Sequence, residues 1–282
     1  MTKATSNRYW IAIVAAALCC VPGHGQPPPT PGITGIAHVA YRVSDIDKEV
    51  NFLGKLGFEE AFASTNGTRT MEVFVKVNDR QFIEVYPQTD PKQPLGWMHV
   101  CYESDALEAL DSAYAGRSLN ATKVAKGSAG NLIFSLKDPD GRVTEFTQYM
   151  PGSRHDQDKG QHLGENRISE DLLGFDLPVG DLAASKQFYT KLGFDVDDEG
   201  GSLHLTAPQA PGLRVVLHTA TPNSAPQMLL PVPDARKAAD QLHHMGLKVN
   251  RQGKLVFVSD PDGNSFVLLE TGSAQGLVNN GR

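Results

Sequence analysis

Residues 35–58 read GIAHVAYRVSDIDKEVNFLGKLGF, and the change of period inside this stretch decides the architecture. Ile36 to Val43 has the composition of a strand, in which successive side chains take opposite faces, so His38 shares a face with Ala40 and Arg42. Ser44 and Asp45 are N-cap types, and Ile46, Val50, Leu53 and Leu56 then recur at helical spacing. This predicts a helix over about 45–56 that Gly57 closes in a left-handed conformation. Segments around Phe58, Met71 to Val77 and Gln81 to Tyr86 follow as strands, which makes one βαβββ unit.

The unit then repeats. Trp97 to Glu103 is its next first strand, and Asp105 to Ala115 the helix, with Gly116 as the stop. Lys123 to Val124, Leu132 to Leu136 and Arg142 to Gln148 are the three strands, the last preceded by the turn Asp138-Pro139-Asp140-Gly141. Lys191-Leu192-Gly193-Phe194 repeats Lys55-Leu56-Gly57-Phe58 after 136 residues, and Asp260-Pro261-Asp262-Gly263 repeats the turn after 122. Duplication on this scale predicts four units in two pairs, hence two domains at 33–150 and 168–272. Residues 151–167, polar with Pro151 and Gly152, read as a linker, and 273–282 as a tail.

The duplication carries chemistry with it. His38 and Glu84 lie 46 residues apart, His99 and Glu145 also lie 46 apart, and an offset of 61 maps one pair onto the other. IAHVAYRV and WMHVCYES hold the histidines, while RQFIEVYP and GRVTEFTQ hold the glutamates. A single carboxylate at a strand end commonly meets solvent. Four ionisable side chains with one shared offset, set in apolar strands where an unpaired charge is costly, point instead to a ligand set. Two imidazoles and two carboxylates suit a borderline divalent ion and leave exchangeable positions on it. Cys101 falls on the His99 face two residues further on.

With 40% hydrophobic and 21% charged residues, the 282-residue chain has the composition of a globular protein rather than a disordered one. Its start differs: Lys3 and Arg8 precede the apolar run Trp10 to Val21, and Gly23-His24-Gly25 stands before Gln26. This predicts a secretory signal over 1–25, a Pro-rich spacer over 26–32 and an exported, periplasmic or secreted, protein with no stable membrane insertion after cleavage. Without those residues the count is 24 Lys plus Arg against 32 Asp plus Glu, a net of −8, which disfavours nucleic acid as a partner. Cys101 alone would then remain, so no internal disulfide is available and packing must hold the fold.

GIAHVAYRVSDIDKEVNFLGKLGF, RQFIEVYP, GWMHVCYES and DPDGRVTEF together resemble the vicinal oxygen chelate superfamily, the group of glyoxalase I, methylmalonyl-CoA epimerase, extradiol dioxygenases and fosfomycin resistance proteins. The resemblance implies an α+β fold in which each pair of βαβββ modules forms a cupped mixed sheet. It implies His38, Glu84, His99 and Glu145 as ligands of one divalent metal ion, whether Zn, Ni, Co, Mn or Fe(II), with Glu145 as general base and Glu84 as ligand or partner base. The implied function is glyoxalase-like lyase or isomerase chemistry, through a metal-chelated enolate, on a small carbonyl or hydroxy-acid substrate. An extradiol-type dioxygenase and a non-catalytic small-ligand binding protein are the alternatives, and the chain as monomer or homodimer is left open. In the second domain the repeats place Gly174 at the His38 position and Val267 at the Glu145 position, with Leu229 matched to His99 and His218 to Glu84, which reads as a copy without a metal set.

Overall fold

The computed structural model describes residues 31–222 and 224–271, together with Met1. The expected signal at 1–25, most of the spacer and the tail at 273–282 lie outside the described residues. Among the described residues, no helix is long and apolar enough to cross a membrane.

Four βαβββ units follow one another. The first runs β1 (Gly35–Val43), α1 (Ile46–Lys55), β2 (Glu59–Asn66), β3 (Arg69–Lys76) and β4 (Phe82–Pro87); the second runs β5 (Gly96–Glu103), α2 (Leu107–Gly116), β6 (Ala125–Lys126), β7 (Leu132–Lys137) and β8 (Val143–Gln148). After a short α3 (Arg154–Gln157), the third comprises β9 (Gly174–Val179), α4 (Leu182–Leu192), β10 (Asp195–Glu199), β11 (Ser202–Ala207) and β12 (Ala210–Thr219). The fourth comprises β13 (Gln227–Val232), α5 (Ala235–His244), β14 (Val249–Gln252), β15 (Leu255–Ser259) and β16 (Ser265–Glu270). Each pair of units closes into one eight-stranded mixed sheet, ordered β2-β3-β4-β1-β5-β8-β7-β6 and β10-β11-β12-β9-β13-β16-β15-β14. The first strands of paired units meet antiparallel at the centre, and each is flanked by a parallel last strand.

Local chemistry explains the helix ends. The Asp45 side chain accepts from the Lys48 amide at the start of α1, and Asp181 and Asp234 cap α4 and α5 in the same way. Gly57 takes φ +84, and a Cβ there would meet Asn166 O at 2.4 Å, so both its backbone and its neighbour require glycine. Gly116, expected to stop the second helix, instead lies in its last turn; the left-handed residue is Ser118, with φ 58.

Alternation splits β1 between two environments. Val39, Tyr41 and Val43 enter a core shared by both sheets, where Tyr41 and Phe52 pack on Phe266 and Trp97 and Tyr102 pack on Phe175. His38 and Ala40 face the opposite way, into the hollow of the first sheet. The two DPDG turns clasp the sheets together. Ser44 donates from its amide and hydroxyl to Asp262, and the Gly180 amide donates to Asp140, the same contact on the other side.

The segment 151–167 does more than link. Its charges pair across the rim of the first sheet: the fully buried Lys76 ammonium donates to the Asp158 carbonyl and carboxylate at 2.7 and 2.8 Å and pairs with Asp79 at 2.8 Å. His155 on α3 is carried into the hollow, edge-on to Phe62, Phe74 and Phe82. Ser153, His155 and Asp158 are thus buried although most of this polar segment is exposed.

Candidate metal centre

The central strands β1, β4, β5 and β8 each contribute one ionisable side chain to the hollow of the first sheet. Register fixes their heights: Ala40 stands beside both Glu84 and His99, His38 beside Cys101, and Cys101 beside Glu145. His38 Nε2 lies 3.1 Å from His99 Nε2 and 3.5 Å from Glu145 Oε1, His99 Nε2 lies 3.6 Å from Glu84 Oε2, and His38 Nδ1 lies 3.4 Å from Glu84 Oε1. All four residues named from the sequence therefore stand together in one hollow, three of them, His38, His99 and Glu145, as a group.

The spacing fits a metal. Two ligands each bonded at about 2.1 Å stand about 3.0 Å apart at a right angle and about 3.4 Å apart at a tetrahedral angle, which is the range found between these atoms. His38, His99 and Glu145 offer ligand atoms that all lie within 4.8 Å of one another. Glu84 stands to one side of this trio, with one oxygen toward each imidazole and the Tyr86 hydroxyl donating to Oε2 at 3.0 Å. The donor set, two imidazoles and two carboxylates in a largely buried site, matches the chemistry of a borderline divalent ion.

The electrostatics divide the two carboxylates. Burial would raise the Glu84 carboxyl, but the His38 and His99 imidazoles and the Tyr86 hydroxyl outweigh it and hold the group down at about 2. His38 is raised for the complementary reason, burial being overcome by Glu84 and Glu145. Both line the cavity, and Glu145 is the more open of the two, with 19% of its side chain exposed against 6% for Glu84. Burial, together with Glu145, pushes the thiol of the fully buried Cys101 well up.

Several lining residues carried no signal in the sequence. The cavity, about 90 Å³, is bounded by Glu72, Tyr86, Ser128, Asn131, Tyr149 and His155 in addition to the ligand set. Asn131 Oδ1 accepts from the Met150 amide, which leaves Asn131 Nδ2 to donate to His155 Nδ1 at 2.9 Å and places the imidazole proton on Nε2. Burial, with His38 nearby, lowers His155 to about 4, so it is a neutral ring at ordinary pH. Glu72, Ser128, Asn131 and His155 lie on β3, the β6–β7 turn and α3, whereas Tyr86 lies on β4 beside Glu84 and Tyr149 directly follows β8.

In the second sheet the equivalent positions follow from register. Gly174 pairs with Leu229 as His38 pairs with Cys101, and Leu229 pairs with Val267 as Cys101 pairs with Glu145. Leu229 therefore matches Cys101, and Gln227 rather than Leu229 stands at the His99 position. Gly174 pairs with Arg214 as His38 pairs with Phe82, so Val216 rather than His218 stands at the Glu84 position. Both sequence matches slipped by two residues. A Cβ on Gly174 would fall 1.6 Å from Arg214 O, so no side chain fits where His38 would be. Leu229, Leu255, Val267 and Leu269 close this hollow as an apolar cluster, while His218 pairs with Asp176 at 3.2 Å.

The fold is shared with solved enzymes of low sequence identity. A Mn(II)-bound glyoxalase from Novosphingobium aromaticivorans superposes with a TM-score of 0.65 at 16% identity, covering 86% of this chain and 83% of that one. The 2,3-dioxygenase LapB from Pseudomonas sp. KL28 gives 0.64 at 16%, covering 85% and 92%, and an extradiol ring-cleaving dioxygenase from B. fuscum gives 0.64 at 16%, covering 87% and 74%. No curated protein sequence matches the chain. The family model of the Glyoxalase/Bleomycin resistance protein/Dioxygenase superfamily matches residues 35–146 and again 171–268, one match on each sheet, and the chain belongs to that superfamily.

Proposed function

We propose that the chain is a metal-dependent lyase or isomerase of the glyoxalase type, acting on a small carbonyl or hydroxy-acid substrate, and that it works outside the cytoplasm. The observation that carries the reading is the position of Glu84, 3.4 Å from His38 Nδ1 and 3.6 Å from His99 Nε2, beside the trio of His38, His99 and Glu145, where it would serve as a fourth ligand. A divalent ion held there supplies Lewis acidity to two neighbouring substrate oxygens. Glu84, held ionised by the imidazoles and Tyr86, is a weak base and serves as ligand. Glu145 faces the cavity and takes the proton from the substrate carbon, then returns it to the neighbouring position. Export is supported by Lys3 and Arg8 ahead of the apolar run Trp10 to Val21.

A second reading has its own support: His38, His99 and Glu145 group without Glu84, as a two-His-one-carboxylate set with open positions for a catechol and dioxygen. Glu84→Gln separates the two. The lyase or isomerase should lose metal content or turnover by at least tenfold with its fold intact, read by elemental analysis and circular dichroism. Full metal content, together with oxygen uptake on catechols, would replace the first reading by the second.

A further inference from the structure

The carboxylates of the cavity do not balance. Its lining carries Glu72, Glu84 and Glu145 with the imidazoles of His38 and His155, and no lysine or arginine. Glu84 and Glu145 each lie within 3.6 Å of a ligand imidazole, so a divalent ion would offset their two charges. Glu72, on β3, is only 8% exposed and is held by neutral groups: the Ser128 hydroxyl donates to its Oε1 at 2.9 Å, and the Tyr86 phenol stands beside it. Neither a lysine nor an arginine stands among the lining residues to pair with the Glu72 carboxylate.

We propose that Glu72 is the selectivity residue of the cup: its free carboxylate oxygen accepts a hydrogen bond from a hydroxyl or ammonium group at the far end of the substrate and excludes substrates that bring a carboxylate or phosphate. This rests on the metal reading above and narrows it, since of the two substrate classes it favours neutral or cationic hydroxy- and amino-carbonyl compounds over hydroxy acids. The physical basis is that a buried like charge is repelled strongly where water cannot screen it. The small cavity volume, about 90 Å³, keeps any bound substrate within reach of Glu72.

The test uses the whole protein loaded with Mn(II), with water-proton relaxation and calorimetry reading the binding of three probes: hydroxyacetone, aminoacetone and lactate. Wild-type protein should bind hydroxyacetone and aminoacetone at least tenfold more tightly than lactate. Glu72→Gln, nearly isosteric, should keep its metal and shrink that ratio by tenfold or more. Equal binding of lactate and hydroxyacetone by the wild type, or a ratio that the substitution leaves unmoved, overturns the assignment of Glu72 while leaving the metal reading standing. Should Glu72→Gln fail to fold, the wild-type order of the three probes decides alone. Failure of Mn(II) to bind, or binding that His38→Ala leaves intact, overturns both.

Discussion

Tyr86 shows how much of a metal site is carried by groups that are not ligands. Its hydroxyl donates to Glu84 Oε2 at 3.0 Å and so fixes which way that carboxylate faces. Tyr86→Phe should leave the fold in place and lower metal affinity about tenfold, measured by competition with a chromophoric chelator, because outer partners orient ligands and tune their basicity. The four proposed ligands were legible as a group, since an entire strand context repeated around each of them. Glu72, Ser128, Asn131 and His155 were not, because β3, the β6–β7 turn and α3 lie outside the repeated strands and their approach to the site is made only by the closed sheet. The slip at Leu229 and His218 has a different cause. A shift of two residues keeps every side chain on its own face, so alternation cannot detect it, and only hydrogen-bonded register does.

Among the elements, α1 has one buried face that its amphipathic pattern did not announce. Glu49 is 2% exposed and points at Asp260 of the second DPDG turn, so burial and that carboxylate push it up to about 9. Ser185 occupies the same place on α4, where no such pair forms. A carboxyl raised in the folded state holds its proton there while the unfolded chain has already released it at 4.5. Its contribution is complete below that value and declines as pH rises toward the folded value, by about 1.4 kcal/mol per unit. Glu49→Gln keeps a donor for Asp260 without the titration. Its stability advantage over the wild type should therefore widen from pH 5 to pH 8 in denaturant melts, by about 4 kcal/mol. A constant difference across that range would mean that Glu49 is already ionised in the fold. Most helix and strand identities were readable from period and caps, but the strand expected at Lys123–Val124 forms instead at Ala125–Lys126, and α3 lies in the segment read as a linker. The stop of α2 was not, because the chain leaves the helix at Ser118 rather than at the glycine.

At the scale of the molecule, the two sheets stand back to back, and the core between them belongs to neither alone. Tyr41, Trp97 and Tyr102 of the first sheet are covered by Phe175 and Phe266 of the second. Residues 31–170 expressed alone should expose this aromatic face, bind a hydrophobic dye and aggregate, even though the complete ligand set lies within them. A soluble, cooperatively unfolding fragment in size exclusion and thermal melts would show that the first sheet is self-sufficient. The two-domain division was visible as internal repetition, whereas the shared core was not, since apolar residues on a strand do not say which partner covers them.

The apolar closure of the second hollow by Leu229, Leu255, Val267 and Leu269 sets different rules of mutational drift for the two halves. At these four positions the second half answers chiefly to volume, so leucine, isoleucine, valine and methionine should exchange there with small losses. In the first half the same positions answer to charge and bond direction, and nearly every exchange is penalised. A saturation-mutagenesis map of this chain would thus look like two proteins drawn on one fold, a permissive one and an intolerant one, meeting along the aromatic seam.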